Sequence, residues 1–447
     1  MQLLDVCRRA VEEAVRAGAD ASDAYGVEAN ILKVVLEKGV VKRASATHDV
    51  GFGIRAVVRG SQGYSYSTRL NADPREVAVK AFRAARAGPP DPDFKSLPTP
   101  SSYPSISGLY DSKIASMGVE DLVDLCYSLV DLAKRDKVYS INMSVEAVEF
   151  KRFVANSNGV EGVDEGTLFA FEVYVTARDG INMASSSEAN ASRFYGGLDL
   201  QGMTLKASEE AVKYLNAKSY KSCTASVVFS DRVLATIFID GVASALNADL
   251  VQRGRSYLAE KVGEKVAVEK LTVVDDGARA GGLLSMKFDC EGTPRGRTLL
   301  IDGGFVRGLL HNSYTSGKAG VKSTGNASRV GGDLDFRGRI AISPSNVVVE
   351  GGDWSLEEMI EEVKVGVLVE DTDDSPNIAT GDLSAMMTKG YAIEGGEVKY
   401  PIKQTLFAIN MLDLLRKIRA LGKRRVKRFG LEAPPIMVSD VSIASKA

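Results

Sequence analysis

The stretch NILKVVLEKGVVKRAS, residues 30–45, decides the first part of the fold because it reads as two extended runs joined at a turn. Gly39 supplies the conformational freedom that such a turn needs. A second hairpin is predicted in GFGIRAVVRGSQGYSYSTRL, residues 51–70, with its turn between Gly60 and Gly63. The sequence therefore predicts a sheet that begins with two consecutive hairpins.

Helices are predicted on both sides of these hairpins. An apolar stripe from Leu3 to Val15 has the period of a helix, which Gly18 can end. After the hairpins, Asp73 suits an N-cap, Pro74 the first helical position and Gly88 the C-terminal stop. Residues 1–88 are thus predicted to form an N-terminal α+β domain.

A proline- and serine-rich stretch, residues 89–108, has no period and predicts an extended connector. Residues 109–222 then repeat the order of helix, strands and helix as a central α+β domain, with strands from 139 to about 187. The repeated order suggests a duplication of one unit. A coincidence between two pairs of hairpins is the alternative.

The remaining residues, 223–447, are predicted to form a larger, β-rich C-terminal domain. It begins with a buried strand and two helices, 231–248 and about 254–263, and continues as short strands separated by glycine pairs. Because no segment alternates strand and helix as a doubly wound sheet does, the predicted fold class is α+β.

Composition excludes several classes of function. The chain of 447 residues has a formal net charge of -2 at pH 7, so no overall field attracts it to nucleic acid or to an anionic membrane. Its four cysteines are widely separated and lack C-x-x-C spacing, which argues against a disulfide framework and against a cysteine-rich zinc module. No apolar run reaches the roughly 20 residues that a spanning helix needs, and the charged N-terminus is unlike a signal peptide. These features predict a cytoplasmic protein without a membrane partner.

The residues offer little for metal or thiol chemistry. A zinc enzyme needs three ligands at one point, but the two histidines, His48 and His311, are distant in sequence and lie among turn-forming residues. A stand-alone hydrolase using Cys290 and His311 is an alternative. The neighbouring carboxylates of Asp289 and Glu291 weigh against it, because they would raise the pKa of the thiol.

Residues 416–428 form the one strongly basic segment. A nucleic-acid-binding accessory protein that uses this segment is a second alternative. However, the segment continues the apolar pattern LFAINMLDLLRKI, residues 406–418, which predicts a helix whose C-terminal end favours basic side chains. No aromatic platform is interleaved with the basic residues. A solvated helix end or a subunit contact is the preferred interpretation, and nucleic acid is not expected as a partner.

A family resemblance begins at residues 288–329, FDCEGTPRGRTLLIDGGFVRGLLHNSYTSGKAGVKSTGNASR, with its F-D-x-E-G-x-P and T-G-N-A motifs. Further matching pieces are SPSNVVVEGGDWSLEEMIEEVKVGVLV, residues 343–369, GYAIEGGEVKYPIKQTLFAINMLDLLRKI, residues 390–418, and APPIMVSDVSIA, residues 433–444. Together these motifs resemble the C-terminal part of the TldD/PmbA family, whose older label is modulator of DNA gyrase. GFGIR, residues 51–55, extends the resemblance toward the N-terminus.

The resemblance implies one of two branches. TldD-type chains are similar to zinc peptidases, with H-E-x-x-x-H on the helix that follows the first strand of this region and a further cysteine ligand near the C-terminus. Ile239, Asp240 and Ser244 stand at the three motif positions here, and no cysteine follows Cys290. The chain therefore resembles the PmbA branch, also called TldE, and neither catalytic nor metal-binding residues are expected in it.

What the resemblance implies is a metal-free, non-catalytic subunit of a heterodimeric TldD/TldE-type zinc metallopeptidase that degrades unfolded or modified peptides. Zinc is expected only in the TldD-type partner subunit, so this chain alone is expected to be inactive, with a homodimer as its alternative state. Five residues resemble family elements around the cleft and are candidates for a peptide channel or a dimer seam: Thr324, Gly325, Asn326, Gly390 and Glu394. Tight turns that close a β scaffold are the alternative role for them.

Overall fold

The hairpin at Gly39 belongs to a six-stranded antiparallel sheet in the computed structural model of the protein, which describes residues 3–69 and 71–445. Its strands are β1 (Ala21–Glu37), β2 (Val40–Val58), β3 (Ser61–Ser67), β4 (Val138–Asn156), β5 (Glu161–Asp179) and β6 (Asn182–Ser192). The spatial order is β3-β2-β1-β4-β5-β6. The two α+β units therefore share one sheet, because β1 and β4 pair at its centre from Asp23↔Asn156 to Leu36↔Met143.

Helices cover one face of this sheet. They are α1 (Leu3–Arg16), α2 (Pro74–Ala87), α3 (Ser112–Ala115), α4 (Val119–Ala133) and α5 (Leu200–Tyr214). The side chain of Asp73 accepts a hydrogen bond from the N–H of Arg75, so the predicted N-cap of α2 is confirmed. Side chains alternate along a strand, and in β1 Ala24 faces the helices while Tyr25 faces the C-terminal domain. The sheet thus lies between a helical layer and the C-terminal domain.

The C-terminal region contains sixteen strands and several short helical segments among the described residues. The strands are β7 (Cys223–Phe229), β8 (Val273–Asp276), β9 (Arg297–Asp302), β10 (Phe305–Val306), β11 (Ala327–Arg329), β12 (Ile340–Ile342), β13 (Val347–Val349), β14 (Val365–Asp371), β15 (Asp382–Met386), β16 (Lys389–Glu394), β17 (Glu397–Pro401), β18 (Thr405–Asn410), β19 (Ile418–Leu421), β20 (Val426–Arg428), β21 (Leu431–Ala433) and β22 (Ile436–Ser445). The helices are α6 (Val233–Ala235), α7 (Ala248–Gln252), α8 (Ser313–Ala319), α9 (Leu356–Glu362) and α10 (Met411–Arg416).

Two sheets enclose the core of this region. An eight-stranded sheet has the order β15-β18-β22-β7-β14-β16-β17, with β19 also paired to β22, and a six-stranded sheet has the order β10-β9-β8-β13-β21-β20. The helical segment that follows β7 packs between them: Phe238 shares one buried cluster with Phe229 of the first sheet and Ile301 of the second. β11 and β12 form a separate pair. The predicted α+β class with a larger β-rich C-terminal domain is confirmed.

One predicted helix is wrong and a second is shorter than predicted. Residues 254–263 form a series of turns, in which the N–H of Tyr257 bonds to the carbonyl of Ile378 instead of to its own segment. Within residues 406–418 only α10 is helical, because the flanking residues pair with β22 as β18 and β19. In both places, contacts with distant parts of the chain override a local apolar pattern. None of the described helices combines the length and the apolar character that crossing a membrane requires.

Candidate functional site

The helical segment after β7 includes a π-helix, Thr236–Ala243, at the motif positions that the resemblance singles out. Ser244 donates its backbone N–H to the carbonyl oxygen of Ile239, the i to i+5 bond of a π-helix. Residues five positions apart are therefore one turn apart, on one side of the helix. This geometry explains how an H-E-x-x-x-H sequence could present both of its histidines to one metal ion. The helical turns end before Asn247, whose side chain caps α7, so the predicted helix stops slightly earlier than residue 248.

The side chains at these positions offer few donors. Ile239 is half-buried, packs against the C-terminal core and has no lone pair. Asp240 accepts a hydrogen bond from Ser375, with 3.1 Å between Oγ and Oδ2. Burial raises the pKa of the Asp240 carboxyl, and the bond from Ser375 opposes part of that rise. Ser244 adds only a neutral hydroxyl.

This donor set does not fit a zinc ion. A zinc site takes at least three protein ligands, chosen from thiolate, imidazole and carboxylate groups, and only Asp240 provides one of these here. Across residues 3–69 and 71–445, no three or more His, Cys, Asp and Glu side chains are grouped so that they could hold a metal.

Contacts from distant parts of the chain surround the π-helix. Tyr257 donates its hydroxyl to the carbonyl of Gly241 over 2.7 Å. A Cβ on Gly241 would lie 2.6 Å from Cε of Met411, so the helix packs directly against α10 there. Tyr257 and Ser375 could not be predicted from the sequence, since no local pattern marks either residue as a neighbour of this helix.

The T-G-N-A candidates form a buried turn beside β8. Thr324 Oγ1 accepts the backbone N–H of His311 at 2.7 Å and donates to Asn326 Oδ1 at 2.6 Å. Asn326 is 1% exposed and donates its Nδ2 to Asp275 Oδ2 at 2.8 Å. Gly325 adopts φ +73°, which favours glycine. These contacts support the scaffold role for the turn.

Gly390 and Glu394 lie elsewhere, on β16 of the eight-stranded sheet. The backbone N–H of Gly390 donates to Tyr214 Oη at 2.7 Å, and the same hydroxyl donates to the carbonyl of Gly390 at 2.9 Å. Glu394 is exposed and accepts from Tyr400 at 3.3 Å. No hydrogen bond or ion pair joins Gly390 or Glu394 to the T-G-N-A turn in the described part of the chain, so the five candidates do not form one cluster.

Cys290 and His311 have separate surroundings. The thiol of Cys290 is fully buried, 3.6 Å from Asp333 Oδ1, and burial holds its pKa well above the ordinary value. The His311 ring contacts Thr315 Oγ1 at 3.1 Å, and burial lowers the pKa of the imidazole. The described residues show no hydrogen bond between them. A thiol that stays protonated and lacks a base is not an activated nucleophile.

The F-D-x-E-G-x-P motif has a structural role that its sequence alone does not reveal. Asp289 accepts backbone N–H bonds from Glu291, Thr293 and Ala327. Burial and the nearby charge of Glu291 raise the pKa of Asp289 to about 7. Glu291 Oε1 lies 2.8 Å from a guanidinium nitrogen of Arg55 on β2. The motif therefore joins the C-terminal domain to the N-terminal sheet.

Only the start of the basic segment is a helix end as predicted, because α10 ends at Arg416 and the residues after it form strands and a loop. Arg428 lies on β20 and bonds to Asp231 and Glu188 at 2.6 and 3.1 Å, so its charge is neutralised within the fold. Lys423 belongs to an exposed loop beside Trp354, whose carbonyl accepts its backbone N–H. An aromatic residue therefore does lie next to the basic loop, although it is distant in sequence.

Comparison with known proteins agrees with this architecture. Three family models match the chain: PmbA/TldA metallopeptidase domain 1 over residues 22–87, the central domain over 112–215 and the C-terminal domain over 222–445. Metalloprotease PmbA of Escherichia coli O157:H7 is 24% identical, covering 98% of this chain and 97% of its own. A metalloprotease of Methanothermobacter thermautotrophicus is also 24% identical, over 94% of this chain and 90% of its own.

A solved structure shares the fold. TldE from Thermococcus kodakarensis superposes with a TM-score of 0.86 and 24% identity, covering 97% of this chain and 99% of its own. The family models together cover most of the described residues, and the C-terminal model alone covers residues 222–445. The chain belongs to the TldD/PmbA metallopeptidase family.

Proposed function

We propose that this chain is the non-catalytic, metal-free subunit of a heterodimeric zinc metallopeptidase, in which a family member with H-E-x-x-x-H supplies the metal. The observation that carries the proposal is the bond from Ser244 N–H to Ile239 C=O. It places the two positions one turn apart, as a pair of metal-binding histidines would need, while the side chains present are an aliphatic group and a hydroxyl. The helix thus keeps the spacing of a metal-binding motif but lacks the side chains that would bind the metal.

Asp240, which lies between Ile239 and Ser244 in the sequence, supports the same conclusion. A metallopeptidase needs a carboxylate that accepts a proton from metal-bound water. Asp240 has a carboxylate, but its side chain is one methylene shorter than that of glutamate. One carboxylate oxygen also accepts a hydrogen bond from the Ser375 hydroxyl. Because Ile239 and Ser244 do not supply zinc ligands beside it, Asp240 would have no metal-bound water from which to accept a proton.

The role of such a subunit is to shape the peptide site of its partner. Its β-rich domain provides a rigid wall, and a second subunit on the opposite side would enclose a channel that admits extended peptides and excludes folded proteins by size. Unfolded or modified peptides are therefore the substrate class in this proposal, and the cytoplasm is the compartment.

Metal analysis tests the proposal directly. The chain is purified alone and together with the H-E-x-x-x-H chain of the same genome, and zinc content and cleavage of an unfolded protein are measured. The chain alone should contain no stoichiometric zinc and show no cleavage, while the complex should hold one zinc per pair and lose activity with a chelator. Stoichiometric zinc with chelator-sensitive cleavage in the isolated chain would overturn the proposal.

Matched substitutions in the two chains distinguish a non-catalytic subunit from a catalytic one. Asp240→Ala in this chain should leave cleavage by the complex unchanged within about twofold, whereas alanine in place of the first motif histidine of the partner should abolish it. A comparable loss from Asp240→Ala would assign catalysis to this chain.

A further inference from the structure

A cavity of about 640 Å³ lies where the central domain meets the C-terminal domain. The end of β6, residues 190–192, forms one side of it, and residues 427–432 of β20 and β21 form the other. Residues 278–283, which follow β8, complete the wall. The volume lies within the range of cavities that bind small ligands, and such cavities occur preferentially at domain interfaces. The three motif positions on the π-helix do not line this cavity.

The wall of the cavity includes a buried positive charge without a carboxylate partner. Arg193 is 2% exposed, and its guanidinium donates to the carbonyl oxygens of Thr167 at 3.3 Å and Ser285 at 2.8 Å. Its Nε has no hydrogen-bond partner in the described part of the chain. Burial and the nearby charge of Arg152 lower the pKa of the Arg193 guanidinium to about 10. Because buried cations are normally paired with anions, this wall favours a negatively charged ligand group.

The opening of the cavity adds charges of both signs. The Lys427 side chain is 76% exposed, with Nζ 3.4 Å from Glu432 Oε1. Arg279 also binds Glu432, at 2.8 Å, so that carboxylate is already neutralised within the chain. Asp276 on the wall accepts the N–H of Ala278 at 3.2 Å and has no ion pair among the described residues. A ligand that carries both a carboxylate and an ammonium group is therefore complementary to this wall.

Phe429 is an exposed aromatic residue that lines the same cavity. Its backbone has φ +46°, a conformation that favours glycine, and its side chain is 41% exposed. Asn190 of β6 holds this backbone, since its Oδ1 accepts the N–H of Phe429 at 3.2 Å and its Nδ2 donates to the carbonyl of Lys427 at 3.1 Å. Across the described residues, the ring packs in none of the hydrophobic clusters. A strained and fixed apolar ring that the core does not use suits contact with a ligand.

We propose that this cavity binds a short peptide that has a free N-terminus, a free C-terminus and an apolar side chain. The peptide carboxylate would lie toward Arg193 and Lys427. Its ammonium group would lie near Asp276, and its apolar side chain would contact Phe429. Inorganic phosphate and nucleotides are less suitable, because the carboxylates on the wall would repel a doubly charged phosphate. The inference goes beyond the proposed function, because the site is complete within this chain and requires neither zinc nor a catalytic partner.

Calorimetric titration of the full chain with the dipeptide leucyl-phenylalanine tests the two charge contacts. Acetylation of the peptide N-terminus and amidation of its C-terminus should each weaken binding about tenfold or more, because each removes one complementary charge. Inorganic phosphate should not displace the dipeptide. The proposal would be overturned by a lack of dipeptide binding, by equal affinity for the doubly blocked peptide, or by displacement with phosphate. None of these results depends on the zinc content of the chain.

Two substitutions assign the charges to their residues. Asp276→Asn keeps the acceptor for the N–H of Ala278 but removes the negative charge, so the free and the acetylated dipeptide should then bind equally within about twofold. A purely structural role for Asp276 would not remove this preference. Lys427→Glu should weaken dipeptide binding about tenfold. Lys423→Glu is the matched control, because Lys423 is an exposed lysine of the neighbouring loop that does not line the cavity, and it should leave binding unchanged.

Phe429→Gly separates ligand binding from folding. Glycine adopts φ +46° without steric cost, and the exposed ring packs in no cluster of the core. The melting temperature should therefore not fall, whereas dipeptide affinity should decrease about fivefold or more because the apolar contact is lost. A lower melting temperature with unchanged dipeptide affinity would show that the ring serves the fold, and it would overturn the proposal.

Discussion

Arg55 and Glu291 form a buried ion pair that joins two parts of the fold. The guanidinium Nη2 lies 2.8 Å from Glu291 Oε1 and 2.7 Å from Asp23 Oδ2, and all three side chains are almost completely buried. Glu291 also accepts the backbone N–H and the hydroxyl of Ser313. The position of the N-terminal sheet on the C-terminal domain therefore depends on a carboxylate from the family motif.

Glu291→Gln should destabilise the fold markedly. The amide keeps the size of the side chain but removes one of two negative charges beside a fully buried guanidinium, and loss of one partner in a buried pair costs about 3 kcal/mol. The free energy of unfolding from urea denaturation measures this change. Glu37→Gln is the control, because the Lys42–Glu37 pair is solvent-exposed and its loss should change stability by no more than about 0.5 kcal/mol. Equal effects of the two substitutions would contradict the structural role of Glu291.

Asn326→Ala should lower stability through Asp275. Asn326 Nδ2 donates to the buried Asp275 carboxylate, whose pKa is raised by burial. Removing the donor leaves that carboxylate less well satisfied, at a cost of about 1–3 kcal/mol. Thermal unfolding of this variant is compared with Asn182→Ala, an exposed asparagine at the start of β6. Unchanged stability in Asn326→Ala, together with weaker peptide binding by the complex, would favour the cleft role instead.

Asp240→Asn should stabilise the chain near neutral pH. Burial raises the pKa of Asp240 in the folded state, so the folded protein prefers the protonated carboxyl. That preference favours folding below the ordinary pKa of aspartate and is lost as the pH rises through the folded-state pKa, where ionisation destabilises the fold. The melting temperature of the variant should thus exceed that of the wild type at pH 7, and the difference should shrink as the pH falls.

Asp382→Asn provides a control of opposite sign. Hydrogen bonds from Asn410 and Thr380 lower the pKa of the Asp382 carboxyl, so its ionised form is favoured in the folded state. This substitution should not raise the melting temperature at neutral pH. If the melting temperatures of both variants change in the same way between acidic and neutral pH, the effect of Asp240→Asn does not come from ionisation of the Asp240 carboxyl.

Local chemistry predicted much of the N-terminal fold. Gly39 has φ +75° in the turn between β1 and β2, and the Asp73 cap begins α2 as its sequence indicates. These features depend on neighbouring residues. The pairing of β1 with β4 was not predicted, because it joins residues more than 100 positions apart and nothing in either strand specifies its partner.

The C-terminal region was harder to predict for the same reason. A short apolar run is compatible with a buried strand or a helix, and residues 406–418 contain both. At the candidate site, the sequence showed that Ile239 cannot bind a metal. It did not reveal the π-helix that stacks Ile239 over Ser244, or the contacts from Ser375 and Tyr257, which approach from other segments.

Thiol accessibility tests the alternative of a cysteine hydrolase. Burial raises the pKa of Cys7 and Cys126 to about 12 and that of Cys290 still further, while Cys223 is only half-buried. At neutral pH about one thiol per native chain should react rapidly with an aromatic disulfide reagent, because reaction needs an accessible thiolate. All four cysteines should react after denaturation. Cys290→Ser should leave the rapid phase unchanged, and Cys223→Ser should remove it. Rapid labelling of Cys290 accompanied by loss of hydrolysis would instead show that this thiol is the nucleophile.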